Sequence, residues 1–326
     1  MSGFTKEAEQ KKLHEHDIKI SSTETIEVPI LKEENFGEDM AIDDKNIGGE
    51  SYTIITNRIS GKIAFMIRSI KTSIICQALE KISVKTLFGV KTFTKDLANN
   101  YDWVVRTKFM GAKRIADKFH VLKLGFEALQ AVRIRYRQKA LEKERQRREI
   151  HKEIQAQLRD QAKRENKKYQ TQPLPPPKKY SNDETACELL ARSRFLLFKH
   201  KKDWTTSQSE RAKILFAEYP EIKKAYDLII EFRKFYELEP KKYAPKIYKE
   251  ALHEWKRNVG AIDISEIQNF VSTVDHHEPE ILNYFDEGYT NAFAESMNSK
   301  IQRFIISNYG IRNRDFFHFR IAKLFS

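Results

Sequence analysis

Cysteine is nearly missing from this sequence: Cys76 and Cys187 stand far apart and outside any paired motif. A disulfide framework and a cysteine zinc finger are thereby excluded within the chain, and a reducing, intracellular setting is expected. Glycine and proline are scarce too, and between residues 121 and 169 they all but vanish. No apolar run approaches the roughly 20 residues that a membrane-spanning helix needs. The polar start MSGFTKEAEQKKLHEHD lacks the apolar centre of a secretory signal. No membrane partner is expected from these features.

What the chain has is charge. Of its 326 residues 32% are charged and 40% hydrophobic, and 59 Lys and Arg against 46 Asp and Glu leave a net charge of +13. An anionic partner follows, with nucleic acid the first candidate and an acidic membrane surface the second. The excess is concentrated: residues 133–168 hold 14 Lys and Arg against 6 Asp and Glu, whereas the first 38 residues lean acidic. This length allows one large domain or two ordinary ones with a real core.

Residues 1–38 follow neither a helical nor a strand period and read as a loose lead-in. DMAID (39–43), SYTIIT (51–56) and KIAFMIR (62–68) read as three strands joined by tight turns. Residues 73–82 read as a helix, LFGVKTF (87–93) as a fourth strand, 97–108 as a helix and AKRIAD (112–117) as a fifth strand. That order is the one of a ribonuclease-H-like α/β domain. The strands then stop. Residues 121–169 read as one or two long charged helices, PLPPPKK (173–179) as a stiff linker or corner, and 183–237 and 245–275 as further helices. The expected organisation is a lead-in (1–38), a first core part (39–124), an all-helical insertion (125–288) and a final helix (289–326) that completes the core.

Phosphoryl transfer on DNA by two metal ions needs carboxylates on a rigid scaffold, close enough to hold the ions about 3.5–4 Å apart. Asp43 closes the first strand. Successive strand residues face opposite ways, so Asp43 and Asp44 cannot both point inward, and Asp43 is the candidate; otherwise both are turn acids. Asp96 follows the fourth strand and would meet Asp43 if those strands are neighbours; it also fits as a cap of the next helix. Asp117 and His120, one turn apart in DKFH, suit a metal or a phosphate, and equally a structural hydrogen bond. In the stretch 290–313, Phe293, Met297, Ile301 and Phe304 fall within roughly 80° of one another on a helix. Asn291, Glu295, Asn298 and Gln302 fall within roughly 60° on the other side, with Lys300 and Arg303 beside them. A carboxylate among carboxamides suits a metal site beside a nucleic-acid backbone, although a solvated face explains such a stripe as well. Trp255, in HEWKRN, reads as a buried packing residue, with base stacking as the alternative.

The strings MAIDDKN, TKDLANNY, ADKFHVLK and YTNAFAESMNSKIQRFIISNYGIRNRDFFHFRIAKLF, in this order, resemble the DDE transposases of bacterial insertion sequences in the ISL-three group. The resemblance runs from about Asp39 to the C-terminus. It implies a ribonuclease-H-like core with a helical insertion before the last catalytic helix, working in the bacterial cytoplasm at the nucleoid. Asp43 then corresponds to the first acid of the triad and Glu295 to its Glu. Strand order favours Asp96 as the middle acid, with Asp117 the alternative; Asp117 and His120 otherwise match an accessory acid-x-x-His motif. The implied activity is Mg²⁺-dependent DNA cutting and strand transfer, Mn²⁺ substituting, on transposon ends and target DNA, by a homo-oligomer assembled on the DNA. Arg145, Arg147 and Arg148, with Asn298, Lys300, Arg303 and Arg312, are the expected DNA contacts.

Members of the group begin with a zinc-binding segment and a helix-turn-helix that recognise the ends. Neither is found ahead of the first strand here, so a separate end-recognition polypeptide or a truncated copy is the expectation. Two rival functions follow: a non-catalytic DNA-binding or oligomerising regulator, and a stand-alone nuclease of the same fold.

Overall fold

In the computed structural model the described residues are 17–20, 24–27, 30–47, 49–97, 99–260, 262–288, 299–300, 302–304, 320–321 and 323–325. The chain divides into two compact units. The first comprises Met1–Val121, Glu239–Lys249 and Val274–Ser326, and the second Leu122–Leu238 and Glu250–Thr273. The stretches 239–249 and 274–288, counted with the insertion on sequence, therefore cluster with the first unit.

The first unit holds a small antiparallel pair, β1 (Asp17–Ile20) with β2 (Glu24–Glu27), and a six-stranded mixed sheet. Its strands are β3 (Ile30–Leu31), β4 (Asp39–Ile47), β5 (Glu50–Asn57), β6 (Ile63–Ile67), β7 (Thr92–Lys95) and β8 (Lys113–Ala116). Their order is β3-β6-β5-β4-β7-β8. β4, β5 and β6 form the expected meander, antiparallel throughout, and Gly49 at φ 86° makes the first of its turns. β7 and β8 add in parallel, as strands reached through connecting helices do.

Residues 17–20, 24–27 and 30–35 differ from the unstructured lead-in expected. Ile30 and Leu31 pair with Met66 and Phe65, and the amide of buried Asn35 donates to the Ile63 carbonyl at 2.8 Å. Backbone pairing beside an apolar strand outweighs the lack of local periodicity.

Helices α1 (Thr72–Leu79), α2 (Val84–Phe88) and α3 (Asn99–Lys108) lie between the strands. Leu87 and Phe88 end α2 instead of opening the fourth strand. Ser83 caps that helix by accepting from the Thr86 N–H, and the strand starts only at Thr92. One sheet face packs Met40, Ile42, Ile55, Phe65 and Phe93 against α1 and α3. The other packs Tyr52, Ile54, Ile63 and Met66 with Phe304 and Ile321 of the C-terminal stretch. Phe304 thus takes the inward side that its helical stripe predicted, while Phe293 and Met297 lie outside the described residues. α10 (Glu278–Glu287) runs beside edge strand β8: Asn283 donates to the Arg114 carbonyl at 2.8 Å, and Lys113 reaches Asp286 and Glu287 at 3.2 and 3.0 Å. Covering the outer strand this way closes its open backbone edge.

The second unit is helical. α4 (Lys118–Arg164) starts in the first unit and runs unbroken for 47 residues. α5 (Ala186–Arg192), α6 (Thr206–Glu218) and α7 (Pro220–Phe235) follow, then α8 (Pro245–Gly260) and α9 (Ser265–His276), whose residues 245–249 and 274–276 count with the first unit. Pro220 and Pro245 open their helices, where a missing N–H costs nothing. Gly125 lets α4 approach Phe270: a Cβ there would sit 3.0 Å from the ring. The proline-rich stretch lies extended along α4, where Arg147 donates to the Pro175 carbonyl at 2.5 Å and Gln155 accepts from the Gln172 N–H at 2.9 Å.

Candidate active site

Three adjacent parallel strands set the site. Ala41 of β4 pairs with Thr94 of β7, which pairs with Ile115 of β8. Two residues further along each chain, on the same face, stand Asp43, Asp96 and Asp117. The register therefore brings three carboxyl-bearing residues into one row at the carboxyl ends of β7 and β8. Asp43 pairs with Ile54 and so shares the face on which Phe304 and Ile321 pack. The strand does not close at Asp43 as the sequence suggested: its ladder with β5 runs on to Ile47, whereas β7 ends at Lys95.

Asp43 is half-buried; its Oδ1 accepts the Asp44 N–H at 2.9 Å and its Oδ2 lies 3.6 Å from Lys45 Nζ. Asp44 is exposed on the opposite face. Asp96 is half-buried in the connection between β7 and α3. Asp117 follows the end of β8 and caps α4, its Oδ1 accepting the Phe119 N–H at 2.7 Å. His120 Nδ1 stands 3.5 Å from Asp117 Oδ2, and among the described residues it meets no partner with hydrogen-bond geometry. The Asp117 carboxylate raises the His120 pKa against the opposing effect of burial, and Asp43 and Asp96 add to the rise. Tyr101 is buried behind the row with its hydroxyl 3.4 Å from that of Thr53. Burial, reinforced by Asp44, Asp96 and Asp43, pushes that phenol well above its usual range, so it stays protonated.

Glu295, Asn298 and Arg312 lie outside the described residues. Lys300 and Arg303 are exposed on a helical stretch whose Phe304 is buried. Among the described residues no group of three or more His, Cys, Asp or Glu side chains is arranged to hold a metal ion. The donors that the row does offer are carboxylate oxygens, the type that Mg²⁺ and Mn²⁺ take.

Sequence reasoning missed a buried charge network next to the row. Lys95, fully buried one residue before Asp96, places its Nζ 3.2 Å from Asp102 Oδ1. Asp102 also pairs with Arg106 at 2.6 Å and with Arg114 at 3.2 Å, and Arg114 reaches Glu280 at 3.6 Å. His277 stands 3.8 Å from Glu280. The one signal in the sequence was a lysine at the end of the strand TFTK. Burial pushes the Glu280 carboxyl up, but His277, Lys95 and Arg114 outweigh it and hold the group at about 2, below the ordinary 4.5. A carboxyl depressed in the folded state binds fewer protons there than when unfolded. Its stabilisation is whole above pH 4.5 and is lost as the pH falls towards 2, on the order of 3 kcal/mol in all. Acid melting curves of Glu280→Gln should therefore flatten across that window relative to the wild type; an identical pH slope would remove Glu280 from the acid response.

The remaining candidates lie in the second unit. Arg145 and Arg148 are exposed, paired with Glu142 at 2.9 Å and Glu144 at 3.0 Å. Arg147 is held by Glu144 at 2.7 Å as well as by Pro175. Trp255 is 2% exposed, its Nε1 donates to the Leu228 carbonyl at 2.9 Å, and its ring centroid is 4.5 Å from that of Phe232. It packs; stacking on a base is ruled out for it.

A family model described as Transposase, for the DDE ISL3 (ISL-three) group, matches residues 40–321. The chain belongs to this family of DDE transposases. No curated protein and no solved structure matches it. As a transposase it is a DNA-processing protein, and DNA is its substrate. Among the described residues no helix is long and apolar enough to cross a membrane.

Proposed function

We propose that this transposase is the catalytic part of a cut-and-paste system, cutting DNA and joining the exposed 3′-hydroxyl to a target on a ribonuclease-H-like core. The observation that carries the reading is the row of Asp43, Asp96 and Asp117 across three neighbouring parallel strands. The strand order supports the fold: a three-stranded antiparallel meander whose first strand is flanked in parallel by two later ones. Asp43 and Asp96, with Glu295 from the C-terminal stretch, are the residues that would hold Mg²⁺ or Mn²⁺. Such ions, when bound, supply charge stabilisation for the entering and leaving oxygens of an in-line displacement.

The chain's own part is positioning. The Asp44 N–H hydrogen bond fixes the Asp43 carboxylate. The cap on α4 fixes Asp117, and Asp117 in turn biases His120 towards its protonated form, a cation suited to a phosphate oxygen. Lys300 and Arg303, exposed on the C-terminal helix, supply charge for the DNA backbone. The test is Mg²⁺-dependent cutting and joining of DNA that carries the element's ends, by the wild-type chain and by variants of the row. Joining of pre-cut ends separates a transferase from a nuclease.

The basic half of α4 adds sequence-independent affinity. Replacing Arg145 and Arg148 by Gln should lower the slope of log affinity against log salt by about 2, one for each phosphate left without its cation. Arg147, committed to Glu144 and Pro175, should contribute less. An unchanged slope would return this helix to a solvated surface.

A further inference from the structure

With Trp255 buried, Phe119 is, among the described residues, an aromatic that stands in solvent beside the acid row. It is the second residue of α4 and is 56% exposed. Its backbone N–H is held by Asp117 Oδ1, so the ring projects from a fixed first turn. It meets the His120 ring edge-on with centroids 5.8 Å apart, and His120 in turn feels the charge of Asp117, Asp43 and Asp96. An apolar ring is therefore anchored next to the row of carboxylates and, among the described residues, joins neither core cluster of the first unit.

We propose that Phe119 stacks on an unpaired DNA base next to the phosphate that would be cut at the row. This rests on the reading of the row as the active site. A neutral ring draws nothing from the phosphate backbone, but the face of a base covers it and removes it from water. In an intact duplex that face is hidden between its neighbours; at a cut or opened end it is free. Stacking requires no particular base, because every base has a π-face. Only two side-chain torsions are frozen on a backbone already set by the helix cap, so the ordering cost is small.

The probe is a duplex whose terminal base is an unpaired 2-aminopurine, compared with the same duplex in which that base is paired. The protein is titrated without added metal, and 2-aminopurine emission and affinity are read together. The wild type should quench the unpaired probe and bind it about five- to a hundredfold more tightly than the paired one. Phe119→Ala should lose the quenching and most of that preference, and Phe119→Trp should restore both. Because the side chain is exposed, the three proteins should melt alike. Retention of quenching and preference by Phe119→Ala, or the absence of both from the wild type, overturns the proposal. The catalytic reading fails separately: a protein that never cuts yet shows Phe119-dependent quenching loses its activity assignment and keeps the stack. One that cuts with no such quenching keeps the activity and loses the stack.

Discussion

Asp43→Asn is expected to abolish metal-dependent DNA cutting, a fall of more than about 10³-fold, with no change in melting temperature. An arginine that stabilises transition-state charge in phosphoryl transfer is worth rate factors of about 10³–10⁵, and an amide in place of a carboxylate that would hold the metal should cost a comparable factor. The fold, in contrast, draws little from the charge. Asp43 is half-buried and its Oδ1 accepts a backbone N–H, which an asparagine oxygen accepts equally well. Asp96→Asn should match this loss, and Asp117→Asn should leave measurable activity because its carboxylate also serves as a helix cap. The reverse pattern would make Asp117 the middle acid. An Asp43→Asn protein that cuts at the wild-type rate would take the whole row out of the mechanism.

Trp255→Ala should have the largest effect on stability. The ring is buried against Phe232 and Phe270, and its N–H is satisfied by Leu228. Truncation leaves a cavity and an unpaired carbonyl inside the helical unit, a cost of about 3–5 kcal/mol. Thermal melting should show that unit unfolding at a clearly lower temperature. Trp255→Phe should recover part of the loss, since it keeps the aromatic packing and forfeits only the hydrogen bond. A Trp255→Ala protein that melts like the wild type would contradict the packing.

The sheet was readable in the sequence wherever alternation and turn chemistry acted together. Residues 39–57 carry β-branched alternation on both sides of a Gly-Gly turn, and the hairpin falls there. The fourth strand was misplaced because Leu87 and Phe88 are as apolar as strand residues, and only the Ser83 cap assigns them to a helix. The row was legible in part: Asp43, Asp96 and Asp117 each stand at or just after a strand-like run, but only pairing registers put them level. The network of Lys95, Asp102, Arg114 and Glu280 was not legible, because its members belong to four elements and no spacing links residue 95 to residue 280. Trp255 was ambiguous for a related reason: one tryptophan on a helix does not say which side its neighbours will cover.

The helix that covers β8 bears on how a newly made chain survives. Arg114 and Asn283 are separated by 169 residues, and Lys113 and Glu287 by 174. Pairings across such long stretches of chain form late, because a long loop must close before they return any energy. Until α10 has been synthesised, β8 presents bare N–H and C=O groups, a template on which another unfinished chain can add a strand. The short-range helices of residues 122–238 can fold in that interval and shorten the loop that remains to be closed. A ribosome stalled between residues 121 and 278 would therefore hold the species most prone to aggregate.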